Sequence, residues 1–156
     1  MKRILLTFMA VLFGFGVFAQ KVYKGNSTYS SDVICNLKDG KIYKKNSTYS
    51  SDIVYTVRKE KIYKGSSSYS SDVVCTVKDG KVYKGNSSYS SDILFTIRDG
   101  MIYKGTSSYR SDILANVKDG KVKKGTSTYS SDTLFHYDGL MTVEEFVAVY
   151  LAVMYI

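Results

Sequence analysis

Short apolar and polar stretches alternate along this chain, and between positions 21 and 140 the alternation repeats with a period of 20 residues. Units three and four, for example, read KIYKGSSSYSSDVVCTVKDG and KVYKGNSSYSSDILFTIRDG. Six units of this kind follow one another without interruption. A fixed period of this length is the signature of a repeat protein, in which one supersecondary structure is built several times and each copy packs on its neighbours.

Each unit contains two stretches with the composition of β-strands. In unit three the first stretch, residues 61–64, reads Lys-Ile-Tyr-Lys, and in unit four the second, residues 92–97, reads Asp-Ile-Leu-Phe-Thr-Ile. Both are rich in β-branched and aromatic residues, which pack well on a pleated sheet. Each unit therefore predicts two antiparallel strands, and the six units together predict a meander of twelve.

Two kinds of reversal connect these strands. Asp-Gly follows the second strand at position 39 and again at 79, 99 and 119, and it favours a type I′ hairpin turn because both residues tolerate a positive φ. Unit two has Lys59-Glu60 there, which is a poorer turn sequence. The other reversal is a longer loop rich in serine and glycine, such as residues 25–30.

The last residues of the chain predict a helix that is apolar on every side. Thr142 and Glu145 have the spacing of a capping box, and residues 146–156 contain no charged side chain. Such a helix is normally buried all round, and the open edges of a long meander have to be hidden as well. Both demands are met if the meander closes into a mainly β, symmetric antiparallel barrel around the helix. The alternative is an open stack of hairpins with the helix packed on one face.

The first 19 residues have the features of a signal peptide. Lys2 and Arg3 precede an apolar stretch at 4–17, and Ala19 ends a small-residue cleavage sequence before Gln20. The alternative is an uncleaved anchor, although the stretch is shorter than the roughly 20 residues of a membrane span. We therefore expect an exported protein, located in the periplasm, at the cell surface or secreted. The predicted division is a signal peptide at 1–19, a six-repeat barrel at 20–140 and a core helix at 141–156.

Charge and composition narrow the classes of partner. The sequence has 22 lysines and arginines against 14 acidic residues, and removal of Lys2 and Arg3 leaves a net charge of +6. A basic protein outside the cytoplasm suits anionic lipid or glycan better than nucleic acid. The chain also lacks proline, which fits a barrel in which nearly every strand needs its backbone donors.

The basic residues concentrate beside the tight turns. A column is the set of equivalent positions in the six units: one basic column ends the second strand of each unit, and another begins the first strand of the next unit. The turn aspartates offset only part of this charge. We predict a basic rim that rests against an anionic surface. The alternative is a set of solvated charges that prevents aggregation. The residues of this basic rim are Lys38, Lys41, Arg58, Lys61, Lys78, Lys81, Arg98, Lys118 and Lys121.

Five positions are identical in all six units: Lys24, Ser27, Tyr29, Ser31 and Asp32, with copies at steps of 20. The six aspartates invite a calcium site, but neighbouring copies would lie two strand spacings apart, about 9 to 10 Å, which is too far for one ion to touch three of them. A cross-strand pair between Lys24 and Asp32 explains these columns better.

Two tyrosine columns, beginning at Tyr23 and Tyr29, have two interpretations. We favour structural packing, and the alternative is a belt that stacks on sugars or bases. Lys123 replaces tyrosine in the last copy of the first column, so that column is expected to face outward. Asparagines 26, 46 and 86 satisfy the Asn-x-Ser/Thr pattern, and we interpret them first as turn residues.

The two cysteines and the histidine of the chain do not indicate a catalytic site. Cys35 and Cys75 occupy one column of units one and three, and around a ring of about 12 Å radius their Cα atoms lie roughly 20 Å apart, too far for a disulfide. We therefore expect two buried free thiols. His136 is the single histidine, and no Ser-His-Asp or Cys-His arrangement is credible with it. We expect no enzymatic activity, no cofactor and no metal.

The motifs of the repeat resemble those of known proteins. Tyr-Lys-Gly, Ser-Tyr-Ser-Ser-Asp and Asp-Gly-Lys are similar to the motifs of bacterial β-flower proteins, which are symmetric shallow barrels. Twelve strands followed by an apolar helix also resemble the Tubby C-terminal domain, and that resemblance implies phosphoinositide-type membrane binding through basic residues. We predict a monomeric, non-enzymatic binding module that associates with anionic membrane lipid through the basic rim. The alternative is a structural or glycan-binding repeat protein of the cell surface.

Overall fold

The structure of the protein is a computed structural model that describes residues 19–155. The predicted signal peptide lies outside the described residues except for Ala19, and so does Ile156 at the end of the predicted helix. The described chain contains the strands β1 Gln20–Lys24, β2 Val33–Lys38, β3 Lys41–Lys44, β4 Ile53–Arg58, β5 Lys61–Lys64, β6 Val73–Lys78, β7 Lys81–Lys84, β8 Ile93–Arg98, β9 Met101–Lys104, β10 Ile113–Lys118, β11 Lys121–Lys124 and β12 Thr133–Tyr137, and the helix α1 Val143–Tyr155.

The strands form one closed antiparallel barrel. Each strand pairs with its neighbours in the sequence, and β1 pairs both with β2 and with β12, so the meander has no free edge. The fold predicted from the repeat is therefore confirmed. The hairpin turns lie at one end of the barrel, the tight-turn end. Residues 25–32 and their copies lie at the other, the loop end, where a 3₁₀ turn precedes each second strand.

The tight turns have the predicted backbone geometry. Asp39 and Gly40 have φ values of 52° and 68°, as a type I′ turn requires. Unit two makes its turn with Lys59 at a φ of 53°. The lysine therefore takes up the left-handed conformation that aspartate adopts in the other tight turns.

A bulge interrupts the pairing of the two strands within each unit. Val22 lies opposite Cys35 but Tyr23 lies opposite Val33, so Ile34 is an extra residue. Ile34 packs against the core next to Cys35, whereas Val33 shares the outer face with Tyr23. The same shift recurs in the other five units. The bulge thus decides which residues of the second strand face inward, and strict alternation would assign some of them to the wrong side.

Three columns of the repeat, beginning at Val22, Cys35 and Leu37, line the interior of the barrel together with α1. The helix backbone approaches β2–β6 most closely. Aromatic side chains bridge the space on the far side: the ring centroids of Phe95 and Tyr150 are 5.5 Å apart, and those of Phe135 and Tyr150 are 6.4 Å apart. The helix lies nearer to one side of the barrel, and Phe95 and Phe135, which occupy the column of Cys35 and Cys75, fill part of the space on the other side.

The helix begins at the tight-turn end and emerges at the loop end. The capping box is present, since the Thr142 N–H donates to Glu145 Oε2 at 3.0 Å and the Glu145 N–H donates to Thr142 Oγ1 at 3.2 Å. Residues 146–152 are buried, whereas Met154 and Tyr155 are exposed. Over residues 19–155 no helix is long and apolar enough to cross a membrane.

Side chains on the outer wall connect each unit to the loop of the next. Thr56 Oγ1 donates to the Gly65 carbonyl at 2.7 Å, and Thr76, Thr96 and Asn116 make the same bond to glycines nine residues further on. At the seam, His136 Nδ1 lies 2.8 Å from the Gly25 carbonyl, which is 111 residues away in the chain. One type of contact therefore both joins neighbouring units and closes the ring.

Candidate functional site

The register of the tight hairpins places the residues of the basic rim opposite one another. Lys38 lies across from Lys41, and the same pairing joins Arg58 to Lys61, Lys78 to Lys81 and Lys118 to Lys121. These residues alternate with the inward-facing columns, so they lie on the outer wall beside the turns. Between units four and five, Arg98 faces Met101, which carries no charge. The rim is thus an arc of paired cations rather than a complete ring.

Two opposing cations in a strand pair repel each other. Directly opposite Cβ atoms are about 4.5 to 5.5 Å apart, and like charges at that separation destabilise a sheet by a few tenths of a kcal/mol or more. Both arginines of the rim lie near the ring of a neighbouring tyrosine, although only Arg58 faces an opposing cation. The Arg98 guanidinium carbon lies 4.8 Å from the centre of the Tyr103 ring, and that of Arg58 lies 6.0 Å from the Tyr63 ring. The lysine pairs have no such partner among the described aromatic contacts.

A depression in the rim lies at the exceptional turn of unit two. Arg58, Lys59, Glu60, Lys61 and Tyr63 line it, and its volume is about 500 Å³. Three cations and one carboxylate therefore surround a concave surface with an aromatic ring on its wall. Sequence reasoning identified Lys59-Glu60 only as an irregular turn, and the folded hairpin shows that this irregularity adds a third cation to the rim.

At the loop end, serine and aspartate fix the conformation of every loop. Ser27 Oγ donates to Asp32 Oδ2 at 2.5 Å, and the Tyr29 N–H donates to Ser27 Oγ at 3.2 Å. All six copies repeat this arrangement, with distances of 2.5–2.6 Å and 3.1–3.2 Å. The structure therefore gives Asp32 a partner other than the expected Lys24, and two of the invariant columns are explained by loop geometry.

The invariant lysines form a ring around the exit of the helix. Lys24 lies opposite Phe135 and Lys44 lies opposite Cys35, so both are on the inner face of the sheet, and both are exposed. Cations near the C-terminal end of a helix are favourable because the last carbonyls carry partial negative charge. The members of this lysine ring are Lys24, Lys44, Lys64, Lys84, Lys104 and Lys124.

The two tyrosine columns differ in their environment. The column of Tyr23 lies on the outer wall and is half-buried or buried, and Tyr23 stacks on His136 with ring centroids 5.2 Å apart. Structural packing is confirmed for this column. The column of Tyr29 is 73–74% exposed in all six units, so the packing prediction is wrong there. We call this second set the tyrosine ring: Tyr29, Tyr49, Tyr69, Tyr89, Tyr109 and Tyr129.

The model of one protein family, described as 6-fold beta flower protein, matches residues 22–153. That range includes all six repeats except Lys21, and most of α1. The chain belongs to the 6-fold beta flower family. Comparisons with curated proteins and with solved structures found no match. The family and the closed barrel identify the β-flower as a structural β-barrel repeat protein.

The histidine of the β-flower is engaged in a hydrogen bond, and its two cysteines are buried. His136 holds the Gly25 carbonyl through Nδ1, and both cysteines are free thiols inside the barrel. Burial raises the pKa of Cys35 and of Cys75 from 9.0 to about 12. Within residues 19–155 no three histidine, cysteine or acidic side chains come together to form a possible metal site.

The asparagines of the Asn-x-Ser/Thr pattern connect neighbouring loops of the β-flower. Asn26 Nδ2 donates to the Ser130 carbonyl at 2.7 Å, and Asn46 and Asn86 bond in the same way to the preceding units. This agrees with their interpretation as turn residues, because each amide has a structural partner.

One cleft of the outer wall lies where the β-flower departs from its own symmetry. It has a volume of about 630 Å³ and includes Met101, Tyr103, Arg110 and Lys118 in its lining. Met101 replaces a lysine and Arg110 replaces a serine found in the other units. The repeat pattern showed both substitutions but not that they line one cleft, because they are on different elements of unit five.

Proposed function

We propose that the β-flower is an exported, non-enzymatic binding module that attaches to anionic membrane lipid through its basic rim. The observation that carries this proposal is the pairing of cations such as Lys38 and Lys41 in the tight hairpins. An anionic group placed between two such cations replaces their repulsion with attraction. The barrel repeats this arrangement along an arc, so several head groups can be engaged together.

The depression of unit two supports the same ligand class. Arg58, Lys59 and Lys61 converge on one concave surface, and Tyr63 offers an aromatic wall. A phosphate head group carries the negative charge and the acceptor oxygens that such cations bind. We therefore place the strongest lipid contact of the rim at this turn.

A non-enzymatic role agrees with the state of the two cysteines and the histidine. The raised pKa of Cys35 and Cys75 leaves almost no thiolate at neutral pH. The imidazole of His136 is engaged with the Gly25 carbonyl at the seam of the barrel. Export rests on the signal-peptide features of residues 1–19, which point to a lipid surface outside the cytoplasm.

Co-sedimentation with vesicles tests the proposal. The purified protein is mixed with vesicles of phosphatidylcholine, with and without phosphatidylglycerol, at low and high salt. We expect binding only to the anionic vesicles and a large loss in salt, because the screening length falls from about 10 Å at 0.1 M to about 3 Å at 1 M. Absence of binding to anionic vesicles would show that the proposal is wrong.

Two matched variants locate the surface. The triple substitution Arg58→Gln, Lys59→Gln and Lys61→Gln removes three charges from the rim. Each charge contributes about 1 kcal/mol of binding free energy near an anionic surface, so the affinity for anionic vesicles should fall by up to roughly a hundredfold. The control removes three charges from the loop end through Lys44→Gln, Lys64→Gln and Lys84→Gln. An equal loss in both variants would mean that net charge, and not the rim, governs binding.

A further inference from the structure

The loop end carries a second surface that the basic rim does not explain. We propose that the tyrosine ring is a multivalent binding site for a neutral polysaccharide, with each tyrosine stacking on a sugar ring. This site is at the opposite end of the barrel from the rim. It is independent of lipid binding, and either proposal can fail without the other.

The exposure of the tyrosine ring has no structural explanation in the barrel. Its six side chains are each 73–74% exposed, while the other tyrosine column is packed on the wall. The neighbouring loop residues Thr28, Ser30 and Ser31 are exposed and polar. A serine or asparagine would serve a solvent-facing loop equally well, yet all six units have the aromatic residue.

The backbone holds every tyrosine of the ring in one conformation. In unit three the Tyr69 N–H donates to Ser67 Oγ at 3.1 Å, and the Tyr69 carbonyl accepts from the Asp72 N–H at 3.0 Å. Across the six units the tyrosine φ lies between −72° and −82°, and ψ is 140° or 141°. The aromatic rings are therefore presented by a fixed backbone, which lowers the ordering cost of binding.

The surroundings of each ring have the chemistry of a sugar site. Around Tyr69, a depression of about 550 Å³ is lined by Lys64, Ser66, Ser67, Ser68 and Asp72. A sugar presents C–H groups on its faces and hydroxyl groups around its edge. The tyrosine ring suits the face, since it is a large rigid aromatic body with a polar tip, and the serine, lysine and carboxylate groups suit the edge.

The charge at this surface favours a neutral ligand. Each loop contains one invariant lysine and one invariant aspartate, three units add a further cation (Lys45, Arg110 and Lys123), and Lys64 and Asp72 line the same depression. The carboxylates would repel a polyanion, and the lysines would repel a polycation. The exposed residues on either side of each tyrosine are polar, as Ser68 and Ser70 are beside Tyr69, so the ring lacks the continuous apolar surface that a membrane or a protein partner normally buries.

Sixfold repetition allows a polymer to bind tightly even if each tyrosine contributes only a weak contact. Neighbouring units of the barrel are two strand spacings apart, about 9 to 10 Å, so one polymer chain can reach several tyrosines. Once the first sugar is bound, each further contact is intramolecular, and avidity exceeds the single-site affinity by about 10²- to 10⁴-fold. A polymer is therefore the expected ligand, and a single sugar is expected to bind weakly.

Affinity electrophoresis in native gels tests this inference. The gels contain hydroxyethyl cellulose, laminarin or galactomannan, and retardation is measured against a gel without polysaccharide. We expect at least one polymer to retard the protein, with little change between low and high salt. Replacement of all six tyrosines of the ring by alanine should weaken binding at least about a hundredfold, whereas Tyr69→Ala alone should weaken it less than about tenfold.

The matched control replaces all six tyrosines by phenylalanine, which keeps the aromatic faces and should retain most of the retardation. Both sixfold variants should fold, because the replaced side chains are exposed, and circular dichroism checks this. The rim variant Arg58→Gln, Lys59→Gln, Lys61→Gln should bind polysaccharide normally, and the alanine variant should bind anionic vesicles normally.

Several results would overturn the inference. One is the absence of retardation by all three polymers, and another is equal retardation of the alanine variant. If the ring instead mediates self-association, sedimentation will show an oligomer that the alanine variant lacks. If it inserts into lipid, binding to pure phosphatidylcholine vesicles will depend on the tyrosines. Either outcome assigns the ring to another partner.

Discussion

Ser67 shows how one side chain organises a loop of this barrel. Its hydroxyl donates to Asp72 Oδ2 at 2.6 Å and accepts from the Tyr69 N–H at 3.1 Å, so it links the two ends of a six-residue segment. The following serine, Ser68, is exposed and is not invariant, since threonine replaces it in some units. Two adjacent serines therefore contribute very differently to the conformation of the loop, and the difference lies in their hydrogen bonds.

Replacing Ser67 by alanine should destabilise the protein by about 1 to 2 kcal/mol, because a partly buried hydrogen bond to a carboxylate and an exposed bond from the Tyr69 N–H are both lost. The free energy of unfolding, measured by urea denaturation, checks this. Ser68→Ala is the matched control and should change it by less than about 0.5 kcal/mol. If both variants have the same stability, the loop does not depend on the Ser67 bonds.

The buried thiols predict a loss of stability at alkaline pH. Burial raises the pKa of Cys35 and Cys75 from 9.0 to about 12, so above pH 9 the unfolded chain releases protons that the folded barrel retains. Stability is therefore unaffected by these thiols below pH 9 and falls as the pH rises from 9 toward 12, by up to about 1.4 kcal/mol per pH unit for each cysteine.

The measurement is the denaturation free energy as a function of pH for the protein and for Cys35→Ala, Cys75→Ala, a change that unit five already carries as Ala115. Burial also raises the pKa of Tyr55, Tyr137 and Tyr150, so both proteins should lose stability in alkali. The double variant should lose less. Identical slopes for the two proteins would contradict the buried-thiol explanation.

At the scale of the element, the tight turns and the long loops differ in how much room they leave for a side chain at their glycines. A Cβ atom on Gly80 would lie 2.6 Å from the Ile97 carbonyl oxygen, whereas one on Gly65 in the long loop would lie 3.7 Å from its nearest backbone oxygen. Both glycines have a positive φ, 72° and 56°. Lys45 occupies the position equivalent to Gly65 in unit two, which shows that the loop accepts a side chain.

Gly65→Ala should therefore cost only the left-handed backbone, about 1 to 2 kcal/mol. Gly80→Ala should cost clearly more, because the Ile97 carbonyl must move and the 2.7 Å bond from the Ile97 N–H to the Gly80 carbonyl is strained as well. Thermal unfolding of the two variants side by side measures the difference. Equal melting temperatures would mean that the tight turn relaxes without cost.

At the scale of the whole molecule, the barrel and the helix depend on each other. The inward columns of six hairpins leave a space that the buried side chains of residues 146–152 fill, and the bonds on the outer wall close the ring at His136. Neither part buries its apolar surface alone. Stability is therefore a property of the closed assembly and not a sum of six independent hairpins.

A charge in the middle of α1 should unfold the protein. Val149 is 0% exposed, so Val149→Asp buries an unpaired carboxylate and should cost more than about 4 kcal/mol. Val143, in the first turn of the same helix, is 47% exposed, and Val143→Asp places a favourable charge at the helix N-terminus. Circular dichroism and thermal unfolding compare the two variants. A stable Val149→Asp protein would show that the helix is not the core.

The sequence by itself determined the period, the paired strands, the type I′ turns and the capping box of α1. These features depend on interactions within one 20-residue unit or one helical turn, so neighbouring residues suffice to encode them. It also identified the cations of the basic rim, because their positions follow from the strand that carries them.

Only the tertiary structure decided which distant surfaces meet. The structure also decided two features inside the unit that the residue types leave open: the bulge beside Tyr23 sets the inner and outer faces of the second strand, and Asp32 is bonded by Ser27 rather than by Lys24. Closure brought His136 to Gly25 and placed the helix nearer to one side of the barrel. Tyr23 packs on His136, which ring closure brings from the far end of the barrel sequence, whereas Tyr29 stays exposed in a loop held by its own Ser27, so two residues of one type have different surroundings.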